Sequence, residues 1–221
     1  PADGTDRWRR AVDTGVRLGV DALIVADLGV IDYAARSYPD QRLHLSVQAG
    51  ASSADAIGFY CRNFNIKRVV LPRILTIPEI TALQVEIGCE LETFVFGNHG
   101  LMFEGRCSLS SYVTGHSTNM DGVCSPASHI RYAEDAAGNL HAKLGAFEID
   151  CFACGQAAGY PTVCKGRYTT PHRPDGYYAF EEPVTLNLAN LLPDLMRAGV
   201  SALKIEGRQR SKAYIRKVVG S

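Results

Sequence analysis

A short apolar run followed by a helix-forming stretch recurs along the first half of the chain, and this repeat restricts the fold more than any other feature. Ala22-Leu23-Ile24-Val25-Ala26, Leu43-His44-Leu45-Ser46-Val47, Arg68-Val69-Val70-Leu71 and residues 90–96 each read as a strand. The first of these is wholly apolar, which is how a strand buried on both faces reads. The stretches around them read as helices. The first opens at Asp6, puts Trp8, Val12 and Val16 on one face and stops at Gly19. The second, 28–38, ends at Pro39, and the third, 53–64, is capped by Ser52 or Ser53. A fourth starts at Thr76-Ile77-Pro78-Glu79 with a capping-box pattern and an early proline. A period of about 20–25 residues leaves room for a helical crossover, so the strands are expected to run parallel.

A parallel sheet of this kind is either a barrel or an open doubly wound sheet. No Gly-x-Gly-x-x-Gly turn follows any strand, so a dinucleotide fold has no positive support. Polar residues stand at successive strand ends: Asp27, Gln48, Arg73 and Asn98. A barrel gathers such residues into one mouth, although each also suits a helix cap. The expected fold is therefore α/β, a TIM-like (β/α) barrel. From 97 to 167 the rhythm breaks into Gly-, Ser- and Cys-rich sequence. Runs on either side of the Gly138-Asn139 turn read there as a β-hairpin. A helix at 188–197, a strand at 202–205 ending in Glu206-Gly207 and a helix from Ser211 to Val219 then restore the rhythm. That describes one domain, 1–221, with the cysteine-bearing segment 97–167 inserted in it. The abrupt start at a helix leads us to expect further strands before Pro1.

The seven cysteines are an odd number and sparse for 221 residues, which argues against a disulfide scaffold and for a reducing, cytoplasmic setting. A formal charge of zero gives no bulk argument for nucleic acid binding, and no run of about 18 apolar residues suggests a membrane span. Five of the seven cysteines lie between Cys107 and Cys164. Thiolates are soft ligands suited to zinc or iron–sulfur centres. Cys107 and Cys124 each sit beside Gly, Ser or Pro, where backbone can wrap an inorganic core, and Arg106 and Lys165 add nearby positive charge. A structural zinc site would most naturally use Cys151 and Cys154 with two further ligands, and buried free thiols are the plainest alternative. No helix is expected after Cys151-Phe152-Ala153-Cys154, which disfavours disulfide exchange. Cys61 and Cys89 read as core thiols. Gln48, Arg73, Glu92 and Glu206 are the candidate catalytic residues at the barrel mouth. Arg73 and Arg106 could hold a bound carboxylate, while Glu92 suits equally an inward arginine. Neither a Ser-His-Asp arrangement nor His-Glu-x-x-His supports protease chemistry.

Several blocks together carry a resemblance. They include Arg68-Val69-Val70-Leu71-Pro72-Arg73, Glu104-Gly105-Arg106-Cys107, Leu109-Ser110-Ser111-Tyr112, Cys124-Ser125-Pro126, Gly159-Tyr160-Pro161-Thr162, Cys164-Lys165-Gly166-Arg167-Tyr168 and Lys204-Ile205-Glu206-Gly207-Arg208. The chain resembles, from Asp3 to Val219, the collagenase-like peptidase family, and within it the members that serve ubiquinone biosynthesis. The resemblance implies a TIM-like barrel with a 4Fe-4S cluster, and Cys107, Cys124 and Cys164 match three of its four cysteine ligands. The fourth place, seven residues before Cys107, is Gly100. Cys151, Cys154 or His99 would have to replace it, or the place stays open. The resemblance further implies oxygen-independent ring hydroxylation. The expected partners are a UbiV-like sister protein, a small lipid carrier protein and a small-molecule hydroxyl donor such as prephenate. Other family members hydroxylate RNA bases, and the basic stretch 204–217 would suit that substrate. A non-catalytic iron–sulfur or zinc subunit is the remaining alternative.

Overall fold

The structure is a computed structural model that describes residues 2–100, 102–118, 122–207 and 210–220. Asp121 and Arg208 lie outside the described residues. The chain forms two compact units, Pro1–Asn98 with Leu186–Ser221, and His99–Thr185.

The first unit begins with α1 (Ala2–Arg17), β1 (Leu23–Val25), α2 (Leu28–Ser37), β2 (Leu43–Leu45), a 3-10 turn at Val47–Ala49, α3 (Ala54–Phe64), β3 (Ile66–Val70), α4 (Ile77–Glu86) and β4 (Glu90–Asn98). The second contains α5 (Ser108–Thr114), β5 (Ile130–Glu134), β6 (Leu140–Leu144), β7 (Phe147–Phe152), a 3-10 turn at Val163–Lys165, β8 (Arg167–Thr170) and β9 (Arg173–Tyr178). β10 (Thr185–Asn187), α6 (Leu192–Arg197), β11 (Val200–Ile205) and α7 (Lys212–Val219) complete the chain.

Local chemistry sets the helix starts. Asp27 caps α2 by accepting from Val30 N at 3.0 Å, Ser53 caps α3, and Thr76 with Glu79 closes the expected capping box on α4. Asp27 therefore serves as a cap. β1, β2, β3 and β4 are parallel neighbours in chain order, and β11 adds in parallel to β4, with Lys204 opposite Phe94. β10 also pairs with β4. Among the described residues the sheet does not close on itself.

Alternation along the strands separates two faces. Leu43, Leu45, Val69, Leu91 and Val95 pack against Ile31, Ala34, Ile57, Ile80, Leu83 and Leu195 of the crossover helices. Each such fully buried aliphatic side chain contributes about 1.5–3 kcal/mol. Val47, Val70, Phe94 and Leu186 form a smaller cluster on the other face. Two expectations fail. Trp8, assigned by its spacing to the apolar face of α1, is 57% exposed, and only Val12 anchors that helix deeply. Ile24 is 55% exposed, because β1 buries Val25 while Ile24 points to the opposite face.

In the second unit β5, β6 and β7 form an antiparallel sheet, and β8 with β9 form a hairpin. The β5–β6 turn is held by Asp135, whose Oδ1 accepts from Ala137 N at 2.9 Å and from Asn139 N at 2.8 Å. The stretch read as one run from 140 to 147 breaks at Gly145, which adopts φ +60° and starts a third strand. Leu144, Ile149 and Val163 are the centre of this unit, packed on by Leu109, Val113 and Ile130. No helix among the described residues is long and apolar enough to cross a membrane.

Candidate functional site

Both units contain candidate residues. In the first, the ends of β4 and β11 meet beyond Phe94. Glu206 N donates to Phe96 O at 2.8 Å, which fixes Glu206 beside Gly97. Gly97 has φ +143°, and a Cβ there would lie 2.5 Å from Glu206 Cβ, so only glycine allows this approach. Arg73 donates to Glu206 Oε2 at 2.7 Å, and its guanidinium stacks 3.6 Å from the Phe94 ring centroid. Asn98 N donates to the same carboxylate oxygen at 3.3 Å. The Arg73 side chain is only 8% exposed; burial pushes its pKa down, and Glu206 pushes it back up. Arg73 and Glu206, paired only by topology, are thus brought together as an ion pair at the strand ends.

Glu92 belongs to a different group. It lies deeper on the same face, 2.8 Å from Lys204 and 3.4 Å from Arg68, with Arg68 also on Glu90 at 2.7 Å and Arg42 on the other Glu90 oxygen at 2.5 Å. His44 accepts from Arg42 Nε at 3.0 Å, and its pKa is lowered by burial, then by Arg68 and Arg42, which keeps the ring neutral. Arg68 is the inward arginine that the sequence offered as Glu92's alternative partner. Gln48 is half-buried in the 3-10 turn after β2, beside Val47 of the smaller cluster.

The second unit holds the cysteines. Cys107 caps α5, its sulfur accepting from Ser110 N at 3.4 Å, and α5 packs on the 3-10 turn that contains Cys164. Cys164 is buried, and its thiol is pushed up to about 12 by burial, then by the carboxylate of Glu181, with Cys124 near enough to add to the rise and Lys165 opposing it. Burial raises the pKa of Tyr160, with Tyr132 and then Cys124 adding to it, and its hydroxyl donates to Ser125 O at 2.8 Å. Arg106 is exposed and rests on Phe103, with its guanidinium 5.3 Å from the ring centroid.

Glu181, which the sequence did not single out, organises this region. Its backbone N donates to Cys164 O at 3.1 Å. One carboxylate oxygen lies 3.3 Å from His99 Nδ1, the other 3.2 Å from Lys165 Nζ, and the side chain is 11% exposed. Lys165 also donates to the carbonyls of Glu182 and Val184, at 3.5 and 3.3 Å, so one ammonium is shared between these carbonyls and the buried Glu181 Oε1. Glu181 follows a β-hairpin in a stretch with no period, and its only sequence signal is the Glu181-Glu182 pair before Pro183.

Cys151 and Cys154 stand elsewhere in this unit's chemistry. Cys151 Sγ is 3.8 Å from His141 Nε2, and the ring's Nδ1 is 3.1 Å from Glu148. Cys154 is exposed, packed near Gly138 in a turn with no helix after it. Cys61 and Cys89 are free thiols, hydrogen-bonded to each other against the main core. Among the described residues no three His, Cys, Asp or Glu side chains are gathered to hold a metal ion.

A parallel βα sheet with an ion pair at its strand ends, followed by a separate unit rich in cysteine, defines an α/β protein of the U32 type. The chain belongs to Peptidase family U32, whose sequence profile matches residues 3–221. It is 32% identical to the tRNA hydroxylation protein P of Escherichia coli over 90% of this chain and 47% of that protein. It is 28% identical to tRNA hydroxylation protein P1 of Bacillus subtilis over 98% of this chain and 44% of that protein. It is 25% identical to the 23S rRNA 5-hydroxycytidine C2501 synthase of E. coli over 98% of this chain and 27% of that protein. Other relatives are named as proteases, among them a collagenase of Porphyromonas gingivalis, 24% identical over 94% of this chain and 44% of that protein. The chain spans about half the length of the curated relatives it matches most strongly.

Proposed function

We propose that this chain is the iron–sulfur part of an oxygen-independent hydroxylase acting on an aromatic ring, and that its parallel strands are an arc of a TIM-like barrel. The observation that carries the reading is the grouping of Cys107, Cys124 and Cys164 in one unit. Cys164 is buried there, Cys124 lies within its electrostatic reach, and the helix capped by Cys107 packs on its turn. A single metal ion draws its donors to bonding distance of one point, as a zinc site does. A 4Fe-4S core spaces its ligands around a body several atoms across, so thiols that serve it need not converge on one point. Lys165 supplies positive charge beside Cys164.

Bound there by Cys107, Cys124 and Cys164, the cluster would supply one-electron and Lewis-acid chemistry. The chain's own residues do the rest. Arg73 is held planar against Phe94 and fixed on Glu206, and it presents a rigid cation at the strand ends to an anionic donor. Glu206 is itself fixed by Asn98 N and holds Arg73 in place there. Glu92 works structurally, neutralising Lys204 and Arg68 below that site.

For the ring we assign a ubiquinone precursor, which places the chain with UbiU, a UbiV-like partner and a lipid carrier protein. The zero formal charge favours this small-molecule substrate over nucleic acid. The names of the relatives favour a second reading, an RNA base. Two experiments test the proposal. Replacing Cys107, Cys124 or Cys164 by serine should abolish the cluster and the hydroxylation, whereas replacing Cys61 or Cys89 should leave both. Binding to RNA should be absent at low salt for the quinone reading; tight binding that falls steeply with salt would select the RNA base instead.

A further inference from the structure

The geometry points to a second reactive centre, a Cys151–His141–Glu148 arrangement in the second unit that makes Cys151 a nucleophilic thiol toward small zwitterionic disulfides. It stands apart from the iron–sulfur reading and uses none of Cys107, Cys124 and Cys164. His141 and Cys151 are direct partners across the β6–β7 ladder, so their side chains stand on one face of the sheet. Cys151 Sγ lies 3.8 Å from His141 Nε2, within reach of a sulfur hydrogen bond. The register of β6 on β7 shifts between Ala142 and Lys143, which sets Glu148 opposite Lys143, and Glu148 Oε2 comes to 3.1 Å from His141 Nδ1. A thiol, a base and a carboxylate that orients the base are thus held in series, the order by which a weak nucleophile is activated.

The groups around the imidazole support that role. Glu148 holds the Nδ1 side, so Nε2 is the nitrogen that faces the sulfur. Asp135, in the β5–β6 turn, also approaches Nε2, at 3.4 Å, but its carboxylate is engaged by Ala137 N at 2.9 Å, Asn139 N at 2.8 Å and Asn139 Nδ2 at 2.9 Å. Glu148 first and Asp135 second raise the His141 pKa, which strengthens the ring as an acceptor of the thiol proton. A Cys-x-x-Cys redox pair draws on a helix start, which Cys151 lacks; here the neighbouring imidazole takes that part. The surroundings of the sulfur select the electrophile. Acyl transfer needs donors for an oxyanion, and the Cys151 N–H is already given to Asp150 Oδ1 at 2.8 Å. Disulfide exchange builds no oxyanion. Cys151 also lines a cleft of about 330 Å³, together with Glu148, Arg167, Tyr168, Thr169 and Asp175. That wall carries both signs of charge, which suits a small peptide disulfide bearing ammonium and carboxylate groups.

In the step, the thiol proton passes from Cys151 to His141 Nε2, and the Cys151 sulfur attacks one sulfur of the disulfide. A new S–S bond to Cys151 forms as the old one breaks, and the displaced thiolate takes the proton from His141. Cys151 is oxidised, the released thiol is the reduced product, and His141 ends as it began.

The test treats the purified chain with oxidised glutathione under anaerobic conditions and follows each cysteine over time by peptide mass spectrometry, across a pH series. Cys151 should form its mixed disulfide faster than Cys154, although Cys154 is the exposed one of the two. Exposure alone would reverse that order. His141→Gln should slow Cys151 by about 100-fold, the low end of what a positioned acid–base group contributes, and leave the rate at Cys154 unchanged. Glu148→Gln should slow Cys151 less and carry its plateau to lower pH, because the imidazolium loses the carboxylate that stabilises it. Circular dichroism records the fold of both variants. Equal Cys151 rates in His141→Gln and the unaltered chain, or modification of Cys154 ahead of Cys151, would overturn the assignment. Should His141→Gln lose its fold, Glu148→Gln decides, and a pH profile unmoved by that change would overturn it as well.

Discussion

Replacing Glu92 by glutamine tests whether this residue holds the sheet or serves the chemistry. Glu92 Oε1 lies 2.8 Å from Lys204 Nζ and Oε2 lies 3.4 Å from Arg68 Nη1. With an effective dielectric of about 20, the Coulomb attraction across those distances is about 6 and about 5 kcal/mol. Most of it is cancelled. The Glu92 side chain is 9% exposed, so its desolvation costs several kcal/mol, and Lys204 at 30% and Arg68 at 25% keep water within reach. The expected coupling between Glu92 and Lys204 is therefore about 1–2 kcal/mol. Glu92→Gln alone should cost more, about 2–3 kcal/mol, because it leaves two half-buried cations facing a neutral amide. The assay is a double-mutant cycle of Glu92→Gln and Lys204→Met followed by urea unfolding. Additivity of the two changes to within about 0.3 kcal/mol would refute the structural role. So would a Glu92→Gln protein as stable as the original that has lost hydroxylation.

Gly97→Ala should destabilise the first unit by about 2–3 kcal/mol in urea unfolding, because the new Cβ would sit 2.5 Å from Glu206 Cβ at φ +143°. Thr76→Ala removes the reciprocal cap with Glu79 and should lower stability by about 1 kcal/mol in the same assay. His141 has its pKa raised by Glu148 first and by Asp135 second, so its contribution to stability is fully present below the ordinary histidine value and is lost as pH rises through the raised one. Glu148→Gln should lower the His141 pKa in an NMR titration. Asp135 is held down to about 2, chiefly by Asn139, so the β5–β6 turn should keep its order on acidification until the pH falls toward that value.

Much of the first unit was legible because its signals are local. The strands β1 to β4 follow apolar runs, the caps Ser53 and Thr76 follow side-chain chemistry, and the parallel order follows from the spacing. Burial on a given face was not. Ile24 and Trp8 look like core residues in one dimension, and only the arrangement of neighbouring elements shows that nothing among the described residues covers them. The β8–β9 hairpin was not read as strands because Arg167–Thr170 and Arg173–Tyr178 are largely polar and aromatic and show no apolar alternation. The cysteines announced the candidate site by their type, while Glu181 did not. Its position beside Cys164 depends on a backbone bond across 17 residues, which no short-range pattern encodes. Arg73 and Glu206 are separated by 133 positions and meet only because β11 adds to β4.

The most direct measurement is the iron and acid-labile sulfide content of the chain purified without oxygen, set beside that of the Cys107→Ser, Cys124→Ser and Cys164→Ser variants. Brown protein carrying about equal amounts of both elements, lost in each of the three variants, is the outcome expected of a 4Fe-4S core on these sulfurs. Colourless protein that contains zinc, or no metal, and no sulfide would contradict it.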